Sequence, residues 1–333
     1  MKTMIMATAL AAVAGLAAAQ PALAERTLRL SVQVATNHPI GANTVAFKEK
    51  LEEISEGALR VEIYDAAQLF RGSEIPQAVG SGAVDMGVVL ADEYAGTIPA
   101  AGVFSVAFMF PTYEVLARAA DPESAVRQQI DEMLRVGAGT RVLWWQDYGP
   151  VQLVSNGSAI TSPDDMRGKL TRALGQPSGD FIEAVGGVPV VISGSEQFVA
   201  YQRGTVDIGM TGLTAIHSRS IYEVMDHVTI TNHALAEFLV VINDALWDTL
   251  SEQEQAWITE ASRHAEELLR AETENDHASS EAWLRENTDI TIVNLTPEQI
   301  EAWQAAAEPA TQAFIDRAGE EGRQLVEAIR ALY

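Results

Sequence analysis

Arg172 is the residue whose type and position point most directly to chemistry. It closes the run Lys169-Leu-Thr-Arg-Ala173, which predicts a strand, and precedes Gly175-Gln176-Pro177-Ser178, which predicts a helix start. The carboxyl end of a strand beside a helix N-terminus is where open α/β sheets bind ligands. A guanidinium there presents a planar fork matched to two carboxylate oxygens, and the positive end of the helix starting near Pro177 adds to an anion site. The competing reading is a solvated strand arginine. The same strand-end rule nominates Asn37, Glu93 with Tyr94, Trp145 with Asp147, and Phe238 as cleft-wall residues. Trp145 and Phe238 fit a core equally well. Three acids, Glu93, Asp147 and Glu237, fall near the expected cleft. Two of them facing inward would require an ammonium on the ligand: an amino acid, an aminosulfonate or an amino alcohol.

Catalytic patterns are missing. The sequence holds no nucleophile elbow, no His-Glu-x-x-His pair and no phosphate loop of the Walker kind. The six histidines (His38, His217, His227, His233, His264 and His277) lack metal-ligand spacing, and His264 and His277 are expected on helix surfaces. The reading is a binding protein that is not an enzyme, with no metal and no cofactor.

The elements that must position these residues follow from periodicity. Leu28 to Val34 alternates as a strand, Gly41 to Ser55 has helical spacing, and Leu59 to Ile63 is a second strand, together a βαβ unit. One passage recurs. Gly72-Ser-Glu-Ile-Pro-Gln-Ala-Val-Gly-Ser-Gly-Ala-Val-Asp-Met-Gly87 is echoed without a gap by Gly194-Ser-Glu-Gln-Phe-Val-Ala-Tyr-Gln-Arg-Gly-Thr-Val-Asp-Ile-Gly209. Each copy predicts a short helix capped by its Ser, ended by Gly82 or Gly204, and feeding a strand. Two copies imply two α/β lobes whose equivalent strands end on either side of one cleft. Ser162-Pro163-Asp164-Asp165 marks a capped turn in the second lobe. Ser251-Glu-Gln-Glu254 and Thr296-Pro-Glu-Gln299 open helices in the C-terminal third. No low-complexity linker separates the lobes, so crossing strands and a long C-terminal helix are expected to join them. Lobe I is assigned 25–148 with about 238–277, and lobe II 149–237 with about 278–333.

Composition narrows the partners. Acids outnumber Lys and Arg by 46 to 22, for a net charge of −24, which argues against nucleic acid and anionic membranes. Met1-Lys2, an apolar Ala-rich stretch and Ala22-Leu-Ala24 read as a secretory signal cut after Ala24. With no cysteine, neither disulfides nor a lipid anchor are expected. The expectation is a free periplasmic protein, monomeric.

The sequence also resembles the solute-binding proteins of tripartite ATP-independent periplasmic (TRAP) transporters, over nearly all of residues 25–333. The matching pieces are His38-Pro39 with Leu51-Glu52-Glu53 and Gly57, Gln68-Leu69, Gly82-Ala-Val-Asp85, and Ser162-Pro-Asp-Asp-Met-Arg-Gly168 leading to Arg172. Glu196 and Gly204-Thr-Val-Asp207 complete the set. The resemblance implies a two-lobed periplasmic binding fold that closes on a small organic acid, with Arg172 as the carboxylate-binding arginine. Small and large membrane permease subunits are the implied partners. Two departures stand out. Thr211 occupies the position where many relatives carry Asn, and Gly149 to Ser155 lacks the second arginine of relatives that bind large sugar acids.

Overall fold

The computed structural model describes residues 25–333; the expected signal segment lies outside them. Nine strands form one continuous hydrogen-bonded sheet: β1 (Arg26–Val32), β2 (Leu59–Tyr64), β3 (Met86–Leu90), β4 (Thr140–Ser155), β5 (Leu170–Ala173), β6 (Val188–Val191), β7 (Ile208–Thr211), β8 (His227–Asn243) and β9 (Thr291–Asn294). Their order is β2-β1-β3-β8-β4-β7-β5-β6, with β9 beside β8. The strands β1, β2 and β3 run parallel in the first lobe, as do β5, β6 and β7 in the second. Between them lies the antiparallel pair β4 and β8, of 16 and 17 residues. Strands of that length run through both lobes and serve each as an edge.

The pairing register makes the sequence echo a structural one. Strand β3 lies antiparallel on one end of β8, from Met86 opposite Ile242 to Leu90 opposite Phe238. Strand β7 lies antiparallel on the far end of β4, from Ile208 opposite Ser155 to Thr211 opposite Gln152. The carboxyl ends of the two echo strands therefore converge on the middle of the crossing pair from opposite sides. There β4 and β8 lose register between Asp147 and Gly149 and again between Val151 and Leu153. Such bulges bend and twist a strand pair. Gly149 takes φ 93°, a conformation costly for any other residue, and the His277 ring lies against it.

Local differences from expectation have simple causes. The helix expected from Gly41 begins at Pro39, because His38 serves as N-cap: its Nδ1 accepts from the Ile40 amide at 3.1 Å. Ser73 and Ser195 do not cap helices. Each echo copy opens with a 3₁₀ turn (Gly72–Glu74 and Gly194–Glu196) that contains the serine and then passes into an α-helix. The capping boxes at Ser251 and Thr296 form as expected.

The C-terminal helices tie the halves together. Helix Glu252–Asn287 lies along helix Pro39–Ile54 and β4, and Asn43 donates to the Ala265 carbonyl at 2.6 Å. Helix Pro297–Arg330 straddles both lobes. Trp303 packs tilted against Phe181 of the second lobe, whereas Phe314, Leu325 and Ile329 join the core built on Val103 and Phe104 of the first. It bends at Gly319, which takes φ 64°.

Candidate ligand cleft

Arg172 ends β5 with its side chain buried, at 2% exposure. Its Nε donates to the Ile192 carbonyl at 3.0 Å and its Nη1 to the Met210 carbonyl. Carbonyls orient a guanidinium without neutralising it. No carboxylate in the described residues pairs with Arg172, although acids outnumber bases two to one. Beside it stands Arg219, which follows the helix Leu213–Ser218 and was not singled out from the sequence. Arg219 is partly buried, also lacks a carboxylate partner, and donates from Nη1 to the Gly194 carbonyl. Burial, together with the charge of Arg172, pushes its pKa down to about 10.

Thr211 ends β7 and exchanges a hydrogen bond with the Tyr148 phenol at 3.1 Å; the Gly212 amide donates to that phenol at 2.8 Å. Tyr148 in turn stacks on His38 of the first lobe, with centroids 5.8 Å apart. Phe238 packs behind Tyr148 at 5.6 Å. Tyr201 lies under Gly209, where a Cβ would strike its ring.

The opposite wall belongs to the first lobe. Glu93 follows β3 and accepts from Gln33 Nε2 at 3.1 Å and from the Leu90 amide at 3.2 Å. Burial pushes its carboxyl up to about 8. Asp92, at 3% exposure, has no close hydrogen bond on either carboxylate oxygen, and the neighbouring Ser105 hydroxyl, the one donor set to reach it, partly offsets its burial. Burial raises its carboxyl to about 7. The walls touch. A Cβ on Gly175 would come 2.9 Å from Asp92 Cβ, and one on Gly194 would come 3.0 Å from Gln33 Oε1 and 3.1 Å from Arg219 Nη1. Gly72, the matching first residue of the other echo copy, packs on Gln33 and Glu93. Arg71 and Glu196 span the gap at 3.5 Å. The two echo turns thus face each other with Gln33 between them, in a closed arrangement.

The remaining sequence candidates lie elsewhere. Asn37 is exposed, on a groove it shares with Pro39, His217 and Trp283. Trp145 is in the first-lobe core, edge-on to Phe104 at 5.2 Å, and its indole nitrogen donates to Asp131 at 2.9 Å. Asp147 is held by Arg270 at 3.3 Å and by the Tyr113 hydroxyl. His277, expected on a helix surface, is buried at 8% exposure and its Nε2 bonds the Tyr148 carbonyl at 2.8 Å. Its helix is inserted against the bulged segment of β4, a contact that helical periodicity alone cannot register.

Glu237 sits directly opposite Asp147 on the crossing strands, fully buried, with neither carboxylate oxygen hydrogen-bonded. Burial and then the Asp147 charge raise its pKa well above the ordinary 4.5. The native state therefore binds this proton more tightly than the unfolded chain. Its contribution to stability falls as pH rises above the unfolded value, toward the folded one. Glu237→Gln removes that titration, so it is expected to stabilise the protein by on the order of 1–3 kcal/mol at pH 8. The gain should shrink toward pH 5. Urea unfolding at the two pH values measures it, and an equal effect at both would contradict a protonated Glu237.

Two α/β lobes hinged on crossing strands, with unpaired guanidiniums on one wall of the cleft between them and carboxylates on the other, define a periplasmic binding protein of the two-lobed type. The chain belongs to the bacterial extracellular solute-binding proteins, family 7, whose model matches residues 30–317; this is the TRAP solute-binding family, and it is a family of binding proteins rather than enzymes. The chain is 27% identical to the C4-dicarboxylate-binding periplasmic protein DctP of Rhodobacter capsulatus over 322 residues, covering 95% of each. Among solved structures, a TRAP periplasmic solute-binding protein from Shewanella oneidensis with bound succinate superposes with a TM-score of 0.87 at 23% identity, covering 93% of this chain and 99% of that one. The sugar-acid-binding protein DctPAm of Advenella mimigardefordensis, in complex with galactonate, superposes with a TM-score of 0.88 at 21% identity, covering 93% and 100%. Among the described residues, no helix is long and apolar enough to cross a membrane.

Proposed function

We propose that this protein is the periplasmic solute carrier of a TRAP transporter, closing on a small organic acid whose carboxylate lies on Arg172, with Thr211 and Glu93 in the same cleft. The observation that carries this reading is a desolvated guanidinium left without a carboxylate in a chain of net charge −24. A buried cation with no internal partner calls for an external anion. The names of the relatives support the class: dicarboxylate, succinate and galactonate are all carboxylates. On this reading the chain is secreted through its N-terminal signal and acts as a monomer. It performs no turnover and hands its ligand to small and large membrane subunits. Lobe I is 25–148 with about 238–277 and lobe II 149–237 with about 278–333, the terminal helix bracing both.

A thermal-shift screen across small carboxylates, sulfonates and amines tests the reading. Ligand at about 100 times its Kd stabilises by roughly 2.7 kcal/mol. Stabilisation by no carboxylate would sink it.

Closure gives a separate prediction. Because a Cβ on Gly194 would come within 3.0 Å of Gln33 Oε1 and 3.1 Å of Arg219 Nη1, tighter than ordinary contact, Gly194→Val is expected to wedge the lobes apart. It should weaken ligand binding about 5- to 150-fold, the roughly 1–3 kcal/mol of an overpacked contact, while the ligand-free melting temperature stays within a few degrees. Titration calorimetry and scattering of the ligand-saturated variant measure the two effects.

A further inference from the structure

We infer that the ligand is dipolar: an amino-bearing carboxylic acid whose anionic end lies on Arg172 and Arg219 of the second lobe and whose cationic end lies on Asp92 and Glu93 of the first. The inference rests on the reading of this cleft as a carboxylate site and names the second charge that the ligand must carry.

Three observations converge on it. First, the cleft holds two guanidiniums rather than one, and neither has a carboxylate within ion-pair distance. Both are tethered to main-chain carbonyls of the same lobe, those of Ile192 and Met210 for Arg172 and that of Gly194 for Arg219. Second, the facing wall holds two acids at successive positions. Asp92 is 3% exposed with no close hydrogen bond on either oxygen. Glu93 is oriented by Gln33 and the Leu90 amide, which leave it acceptor capacity. Third, apart from the Arg71–Glu196 pair, which satisfies itself across the gap, the cations come from the second lobe and the acids from the first, and the two glycines that open the echo turns bring the backbone close to both sets.

Charge balance then selects the guest. With Asp92 and Glu93 ionised, two cations and two carboxylates cancel, so a zwitterion leaves the closed cleft neutral. A dicarboxylate would bring two uncompensated charges into a desolvated space, which is strongly unfavourable unless both acids are protonated. An ammonium lying on Asp92 and Glu93 provides donors beyond the single neighbouring Ser105 hydroxyl. It also makes closure depend on the ligand, because only the closed form lets one small molecule touch both walls.

The pH response separates the alternatives. Burial, the main cause, raises the carboxyls of Asp92 and Glu93 to about 7 and about 8. The other titratable groups facing them do not change charge between pH 6 and 8. Arg219 stays cationic, with a pKa near 10. Burial holds His38 neutral and raises the Tyr201 phenol to about 12. An ammonium needs the acids ionised, so affinity for an amino acid should rise with pH and binding should release protons. Affinity for a dicarboxylate should fall over the same range.

The experiment is titration calorimetry of the purified protein from pH 6 to 8 against acids of equal length that differ at one group. Suitable sets are 4-aminobutyrate, 4-hydroxybutyrate and succinate, and β-alanine, 3-hydroxypropionate and malonate. At pH 8 the amino member of at least one set is expected to bind about tenfold or more tighter than its partners, and the advantage should shrink toward pH 6. Glu93→Gln or Asp92→Asn, each nearly isosteric, should remove most of that advantage. Arg219→Gln should weaken every member about tenfold or more. A hydroxy acid or dicarboxylate preferred across the whole pH range overturns the dipolar assignment while leaving the carboxylate site standing, as does an amino preference untouched by both acid variants. Failure of every member of a broad carboxylate panel overturns the underlying reading as well.

Discussion

Replacing Arg172 by alanine is expected to weaken ligand binding by about 2–5 kcal/mol, the penalty for truncating one partner of a buried, hydrogen-bonded charge pair. At 1.4 kcal/mol per decade this is a loss of roughly 30- to several-thousand-fold in Kd. The large figure has a geometric origin. The Ile192 and Met210 carbonyls fix the guanidinium before the ligand arrives, so little side-chain entropy remains to be lost on binding. Arg172→Lys tests the same point more finely. A lysine keeps the charge but cannot hold both carbonyls while offering a planar fork, so most of the affinity should still be lost. The folded state should tolerate the alanine variant, because a desolvated cation without a counter-ion is removed. Calorimetry with the ligand found by the thermal screen gives the affinity, and a melting curve without ligand gives the stability. Unchanged affinity would take Arg172 out of the site.

Much of this architecture is legible in the residues, and the reasons are local. The echo from Gly72 and from Gly194 is carried by glycines, a Ser-Glu turn and an Asp-x-Gly strand entry, features fixed by backbone conformation within a few residues. It therefore predicted two similar lobes, and the structure sets the two copies face to face across the cleft. Arg172 was found because a strand end and a helix start flank it in sequence. Arg219 escaped because it follows a six-residue helix too short for a periodic signal, and its importance arises from Gly194, 25 residues earlier. Asp92 and Gln33 escaped for a related reason. Their burial depends on the second lobe closing over them, a contact with no imprint on neighbouring residues. Trp145 and Asp147 show the converse. The strand-end rule assumes a strand that stops at the cleft, whereas β4 continues through it, so residues in its middle face helices of the first lobe instead.

Those helices supply the second large effect. Glu266→Ala is expected to destabilise the protein by about 3–5 kcal/mol, the range for breaking a buried ion pair by removing one member. Glu266 is 6% exposed. Its carboxylate receives both terminal nitrogens of Arg127, one at 3.0 Å, and Arg270 Nη2 at 3.0 Å. Arg127 itself is 7% exposed and lies over the Trp145 ring at 5.4 Å. Without Glu266 its remaining partners are the Ala120 carbonyl and Asp131, whose nearest contact is 3.7 Å. Asp131 is a weak substitute, because burial raises its pKa to about 6. Arg270 fares better, since Asp147 still holds it at 3.3 Å. The loss should therefore centre on the orphaned Arg127, and a double variant distinguishes this from simple loss of packing. Arg127→Met with Glu266→Met replaces both charges by apolar groups of similar reach, and should recover most of the stability that Glu266→Ala loses. Equal destabilisation in the single and double variants would instead assign the effect to the docking of helix Glu252–Asn287 on β4. Urea unfolding of the three proteins decides between them. Ligand affinity, measured in the same samples well below the transition, should stay within a few-fold of the parent, because the network lies behind the crossing strands and not in the cleft.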